Sequence, residues 1–105
     1  MSKKVKQIIV YQIQAEKAAE FEAIKAQMVK ESRTLAGLHS STTAKSLDAA
    51  QVYIDTMVWD SKEAAERAMP AFEQLPTAAK FLGLFAAPPL YQHFMEFEPD
   101  NLMEG

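Results

Sequence analysis

Hydrophobic and polar positions alternate with a period of two in four stretches of the chain and with a helical period in two others, in the order β-α-β-β-α-β. Residues 6–14 are rich in β-branched and aromatic side chains and free of Gly and Pro, which predicts a first strand. Over residues 15–36 the period lengthens. Phe21, Ile24, Met28 and Leu35 fall on one stripe, with Ala18, Val29 and Ser32 beside it and Lys and Glu opposite, so an amphipathic helix is predicted. Gly37 stands where a helix-ending residue at positive φ is expected. Residues 38–46 alternate with Ser and Thr as an edge-tolerant strand, and residues 47–50 read as a turn. Residues 51–59 are the most strongly patterned strand, and a hairpin with the preceding one is expected.

Asp60 or Ser61 then caps a second helical region, with Glu63 three residues after Asp60 as in a capping box. Pro70 and Pro76 cannot sit in an uninterrupted helix interior, which predicts a break: one piece ending near Met69, another over residues 77–85. After Pro88 and Pro89, residues 90–97 form a last strand, and residues 98–105 a disordered tail. The whole is one domain, residues 1–105, with a core over about 5–97. The fold class is α+β, a ferredoxin-like four-stranded antiparallel sheet with two helices on one face.

Two helices cover one face of a sheet, and neither face of this one is plainly polar. The third strand carries Val52, Ile54, Thr56 and Val58 on one side and Tyr53, Asp55, Met57 and Trp59 on the other. The first carries Ile8, Val10 and Gln12 against Ile9, Tyr11 and Ile13, and the last Leu90 and Phe94 against Tyr91, His93, Met95 and Phe97. A large apolar face left in water is uncommon for a monomer. A second copy of the sheet is the economical cover, giving an isologous homodimer closed into an α+β barrel. The more uniformly apolar side, Val52, Ile54 and Val58, is assigned to the helices, and Tyr53, Asp55, Met57 and Trp59 to the barrel side.

The first-strand run Gln7-Ile8-Ile9-Val10-Tyr11, the helix exit Leu35-Ala36-Gly37-Leu38 and the segment Val58-Trp59-Asp60-Ser61-Lys62-Glu63-Ala64 together resemble the antibiotic biosynthesis monooxygenase family of the dimeric α+β barrel superfamily. The resemblance spans residues 5–97 and implies the fold more specifically than the activity. It also implies that Trp59 packs the strand–helix junction. Haem-degrading relatives use a first-strand Asn with a Trp and a His from the second helical region. Here the only Asn is Asn101 and residues 60–92 hold neither Trp nor His, so that activity is excluded.

Composition narrows the picture further. A net charge of −3 gives no reason to expect nucleic acid or an anionic membrane as partner, and the absence of cysteine removes disulfides, thiolate metal sites and cysteine nucleophiles. No run approaches the length needed to span a bilayer, there is no signal-peptide core, and a cytoplasmic protein is expected. Only three glycines are present, which leaves no phosphate-binding loop; no metal site and no cofactor are expected.

Asp55 interrupts an apolar strand face; it either lines a cavity as a functional carboxylate or pairs with a Lys or Tyr across the dimer. His93 is a general base facing the cavity or a hydrogen-bonded strand histidine, and His39 sits exposed at a strand start. Tyr11, Tyr53 and Tyr91 offer cavity hydroxyls, and Met57 and Trp59 share the Asp55 face. Catalytic roles thus fall to Asp55 and His93, and substrate binding to Tyr11, Tyr53, Met57, Trp59 and Tyr91.

Three functions compete. One, favoured by the family, is a cofactor-independent monooxygenase on a small aromatic or polyketide-like substrate between helices and sheet, where the substrate itself activates oxygen. Another is a non-catalytic small-molecule-binding or stress-response barrel. The third is a filled barrel whose role is dimerisation. An enclosed pocket of several hundred Å³ favours the first two, and a packed interior favours the third.

Overall fold

The computed structural model describes residues 4–96; the tail expected at 98–105 and the end of the last strand at Phe97 lie outside the described residues. The elements run β1 (Val5–Gln12), a 3-10 turn (Ala15–Lys17), α1 (Ala18–Ser32), β2 (Leu38–Lys45), β3 (Val52–Trp59), α2 (Lys62–Glu73), α3 (Ala78–Leu82) and β4 (Leu90–Met95). The strands form one antiparallel sheet in the order β2-β3-β1-β4, with the helices on one face, which is the ferredoxin-like arrangement. Gly37 has φ +86°, as its place after α1 required.

Ser61, not Asp60, caps α2: its Oγ accepts the Ala64 N–H at 3.0 Å, while Asp60 pairs with His39 at the surface. The break expected near Met69 falls four residues later. α2 runs through Pro70 to Glu73. Proline removes the amide that would bond Glu66, but Glu66 and Pro70 are both exposed, so the freed carbonyl is on a solvent-facing side of the helix, where a lost bond costs least. The interruption comes at residues 74–77, around Pro76.

There Glu31, near the end of α1, grips the start of α3. Its Oε1 accepts the Thr77 N–H at 2.9 Å and its Oε2 the Thr77 hydroxyl at 2.5 Å. The Thr77 hydroxyl, foremost, holds the Glu31 carboxyl below its ordinary range. A carboxylate whose folded pKa is lowered contributes stability above the ordinary pKa and loses it as pH falls through the folded value. Glu31→Gln is therefore expected to melt below wild type at pH 7, with the difference shrinking at pH 3. An undiminished difference in thermal unfolding at pH 3 would show that the charge plays no part.

The helices cover the opposite sheet face from the one assigned by sequence. Tyr11, Phe21, Met28, Ala78 and Phe81 form one buried cluster with Tyr53 packed on it, and Leu35, Trp59, Ala65 and Ala68 form a second with Met57 packed on it. Asp55, 4% exposed, therefore lies beneath the helices. The error came from weighing one strand. In register, both faces gather polar side chains: Lys6, Gln12, Ser40, Thr42 and Gln92 with Val52, Ile54 and Val58, and Gln7, Thr43, Lys45 and His93 with Asp55. But Tyr11, Tyr53, Trp59 and Tyr91 stand on the Asp55 face against Phe94 on the other. The uncovered face keeps an apolar band across its middle, in which Leu90 is 73% and Phe94 47% exposed.

Candidate functional site

Between the sheet and the helices is a cavity of about 130 Å³. β1 and β3 supply its floor, with Gln7, Ile9 and Tyr11 beside Asp55, Met57 and Trp59; α2 and α3 roof it with Ala65, Ala68, Phe72 and Phe81. Met69, Leu82, Pro89 and Tyr91 also line it and are exposed, which places its mouth between the helices and β4. One end is closed by hydrogen bonds between the chain after α3 and the end of β1. The Gln14 N–H donates to the Leu84 carbonyl at 2.8 Å, the Ala86 N–H to the Gln12 carbonyl at 2.7 Å, and the Gln14 side chain to Gly83 and Phe85. That anchorage stacks Phe85 on Tyr11, with centroids 4.9 Å apart, and sets Phe81 edge-on to Tyr11 at 5.7 Å.

Asp55 meets the cavity with its carboxylate already engaged. Oδ1 accepts the Tyr11 hydroxyl at 2.9 Å and the Thr43 hydroxyl at 2.8 Å, and Oδ2 pairs with the Lys25 ammonium reaching in from α1. Lys25 Nζ also sits 5.0 Å from the Phe81 ring centre and 5.7 Å from that of Tyr11. The partners expected across a dimer are supplied within one chain. Burial first, then the charge and hydrogen bond of Asp55, push the Tyr11 phenol far above its ordinary pKa, so it serves as a neutral donor. The carboxylate thus meets three donors, one of them the Lys25 cation, before any ligand enters.

Trp59 packs the strand–helix junction and also faces the cavity, and its indole N–H donates to Gln7 Oε1 at 2.7 Å. Of the seven residues singled out from sequence, Tyr11, Asp55, Met57, Trp59 and Tyr91 come together around the cavity. Tyr53 and His93 do not line it. Tyr53 packs on Phe21, with centroids 4.3 Å apart, and His93 lies in a shallow groove along β4, its Nε2 3.4 Å from the Tyr91 hydroxyl. No cluster of three His, Asp or Glu side chains among the described residues is placed to hold a metal.

Gln7 and Lys25 were missed in the sequence, although the signal for both was there. Gln7 alternates with Val5, Ile9 and Tyr11 on the buried face of β1, and Lys25 stands four residues after Phe21 and three before Met28, on the buried stripe of α1.

The sequence profile of a family described as antibiotic biosynthesis monooxygenase matches residues 4–81. Solved structures share the fold. A Bordetella bronchiseptica protein provisionally named an antibiotic biosynthesis monooxygenase is 24% identical with a TM-score of 0.74, over 92% of this chain and 100% of its own. SnoaB, a cofactor-independent oxygenase from Streptomyces nogalater, is 22% identical with a TM-score of 0.70, over 98% and 100%. Rv0793 from Mycobacterium tuberculosis is 14% identical with a TM-score of 0.69, over 93% and 99%. Among curated proteins none matches the chain in sequence. No helix among the described residues is long and apolar enough to cross a membrane.

Proposed function

Because the chain belongs to the antibiotic biosynthesis monooxygenase family, we propose that it is a cofactor-independent monooxygenase, acting on a small aromatic substrate held between sheet and helices. The observation that carries this reading is the cavity: an aromatic-walled chamber with an open mouth, in which the one carboxylate is already neutralised. The engaged carboxylate supports a reaction that draws on the substrate's own electrons, with the side chains holding and orienting it. For a quinol the step balances without a co-reactant. A ring carbon bonds one atom of O₂, the O–O bond breaks, and the second atom leaves as water with two hydrogens from the quinol. The ring remains as the hydroxyquinone. Protons lost along the way pass to water at the mouth.

The test is oxygen uptake with 1,4-hydroquinone under ¹⁸O₂ in excess chelator. One labelled atom in the product and one in water, at one O₂ per quinol, is the expected result. A rate no faster than autoxidation, or hydrogen peroxide as the oxygen product, would overturn it. The engaged Asp55 also favours a second reading, a binding protein for the same ligands without turnover, which the same experiment separates.

The protein is further proposed to act as a homodimer joined through the uncovered sheet face, where Ile8, Val10, Ile54, Val58, Leu90 and Phe94 form the apolar band. Sedimentation equilibrium at micromolar concentration is expected to return twice the chain mass. Ile54→Asp, a charge near the middle of that band, should shift the protein to monomer. A wild-type monomer under those conditions would remove the barrel.

A further inference from the structure

Gln7 is 2% exposed, and its side chain is only half satisfied. Oε1 accepts the Trp59 indole N–H, which fixes the orientation of the amide and leaves Nε2 with no hydrogen-bond partner among the described residues. No fully enclosed side-chain nitrogen or oxygen among the described residues lacks a partner, so Nε2 borders open space, and the cavity is the open space that Gln7 lines. The amide nitrogen thus borders an otherwise apolar chamber. Buried donors are normally paired, and one left free at the edge of a pocket marks where a ligand's acceptor belongs.

The size of the chamber sets the rest of the ligand. An apolar cavity of about 150 Å³ takes up one benzene ring. At about 130 Å³ this one matches a single ring.

We propose that the cavity binds a single-ring phenol or quinol whose oxygen accepts a hydrogen bond from Gln7 Nε2, and that Gln7 is the residue that selects it. The proposal rests on the cavity being the substrate chamber of the monooxygenase reading, and it narrows that reading from small aromatics to oxygenated monocycles. Trp59 gives the acceptor side of Gln7 a fixed partner, so the donors keep one direction whether or not ligand is present. A ring of the same shape without oxygen displaces the water that would solvate Nε2 and returns nothing to it.

The experiment is a binding titration that needs no turnover, following Trp59, the single tryptophan of the chain, by fluorescence and the Gln7 side-chain amide by NMR. The probes are phenol, toluene and 2-naphthol. Phenol is expected to bind at least about tenfold more tightly than toluene, its near-isostere, and to shift the Gln7 amide resonances. 2-Naphthol is expected to bind at least about tenfold more weakly than phenol. In a purely apolar hole the order reverses, because toluene leaves water more readily than phenol. Toluene binding as tightly as phenol would overturn the role of Gln7, and 2-naphthol binding as tightly would overturn the single-ring limit. Gln7→Met should retain toluene and lose the preference for phenol. If that variant fails to fold, because Trp59 has lost its acceptor, the wild-type series decides alone. Phenol selectivity with no oxygen uptake would sink the monooxygenase reading and leave this one standing, and turnover without selectivity would do the opposite.

Discussion

Asp55→Ala is expected to cost about 3 kcal/mol of folding stability, the lower end of what breaking a buried ion pair removes. The Asp55 and Lys25 side chains are 6% and 14% exposed, so neither charge is adequately solvated without the other. Removing the carboxylate strands the Lys25 ammonium between Tyr11 and Phe81, and it takes the acceptor from the Tyr11 and Thr43 hydroxyls as well. In a domain of this size the loss should lower Tm by more than about 10 °C. Asp55→Asn should cost less, because the amide oxygen still accepts a hydroxyl. The pair can be tested as a unit. Asp55→Leu with Lys25→Met replaces both charges with apolar volume, and the double variant is expected to be more stable than Asp55→Ala. An Asp55→Ala protein unfolding within about 1 kcal/mol of wild type would mean that the carboxylate is neither buried nor paired in solution.

The sequence of strands and helices along the chain was legible because alternation and helical periodicity are properties of single segments. So were Gly37 at positive φ and the cap at residues 60–61, where one or two side chains decide the outcome. The face of the sheet that meets the helices was not legible. It depends on the register of four strands at once, and in β3 alone the Val52, Ile54 and Val58 side is the more apolar. Lys25 explains why the reverse arrangement is stable: α1 brings a cation to the one buried carboxylate, so the Asp55 face can be covered. The helix continuing through Pro70 was hidden for a related reason, since a proline in a helix matters less where its orphaned carbonyl lies on a solvent-facing side. Of the site, five of the seven residues singled out do line the cavity, but the alternation that grouped Tyr53 with them says nothing about where along the strand the cavity ends. Gln7 fell out of view because glutamine on a strand reads as solvent-facing until its neighbours across the sheet are known.

Gly37→Ala is the second large effect expected, and it separates two physical terms at one position. At φ +86° a side chain costs about 1–2 kcal/mol through the clash of Cβ with the backbone. The new methyl would also stand 2.9 Å from Ala64 Cβ in the first turn of α2, an overpacking worth about 1–3 kcal/mol. The turn cannot easily retreat, because the Gly37 carbonyl accepts the Asp60 N–H at 2.9 Å and ties the turn after α1 to the start of α2. The expected loss is therefore about 2–5 kcal/mol, read by urea unfolding. Gly83 is the control: it lies in the ordinary helical region with φ −68°, and an added Cβ meets the Ala79 carbonyl at 3.3 Å and the Lys80 carbonyl at 3.5 Å, so Gly83→Ala should stay within about 1 kcal/mol of wild type. Adding Ala64→Gly to Gly37→Ala removes the contact and leaves the dihedral cost. The Gly37→Ala penalty should be smaller in the Ala64→Gly background than alone, the difference being the contact term. Equal penalties in the two backgrounds would assign the whole effect to backbone conformation, and no penalty in either would mean that the chain leaves α1 by a different turn.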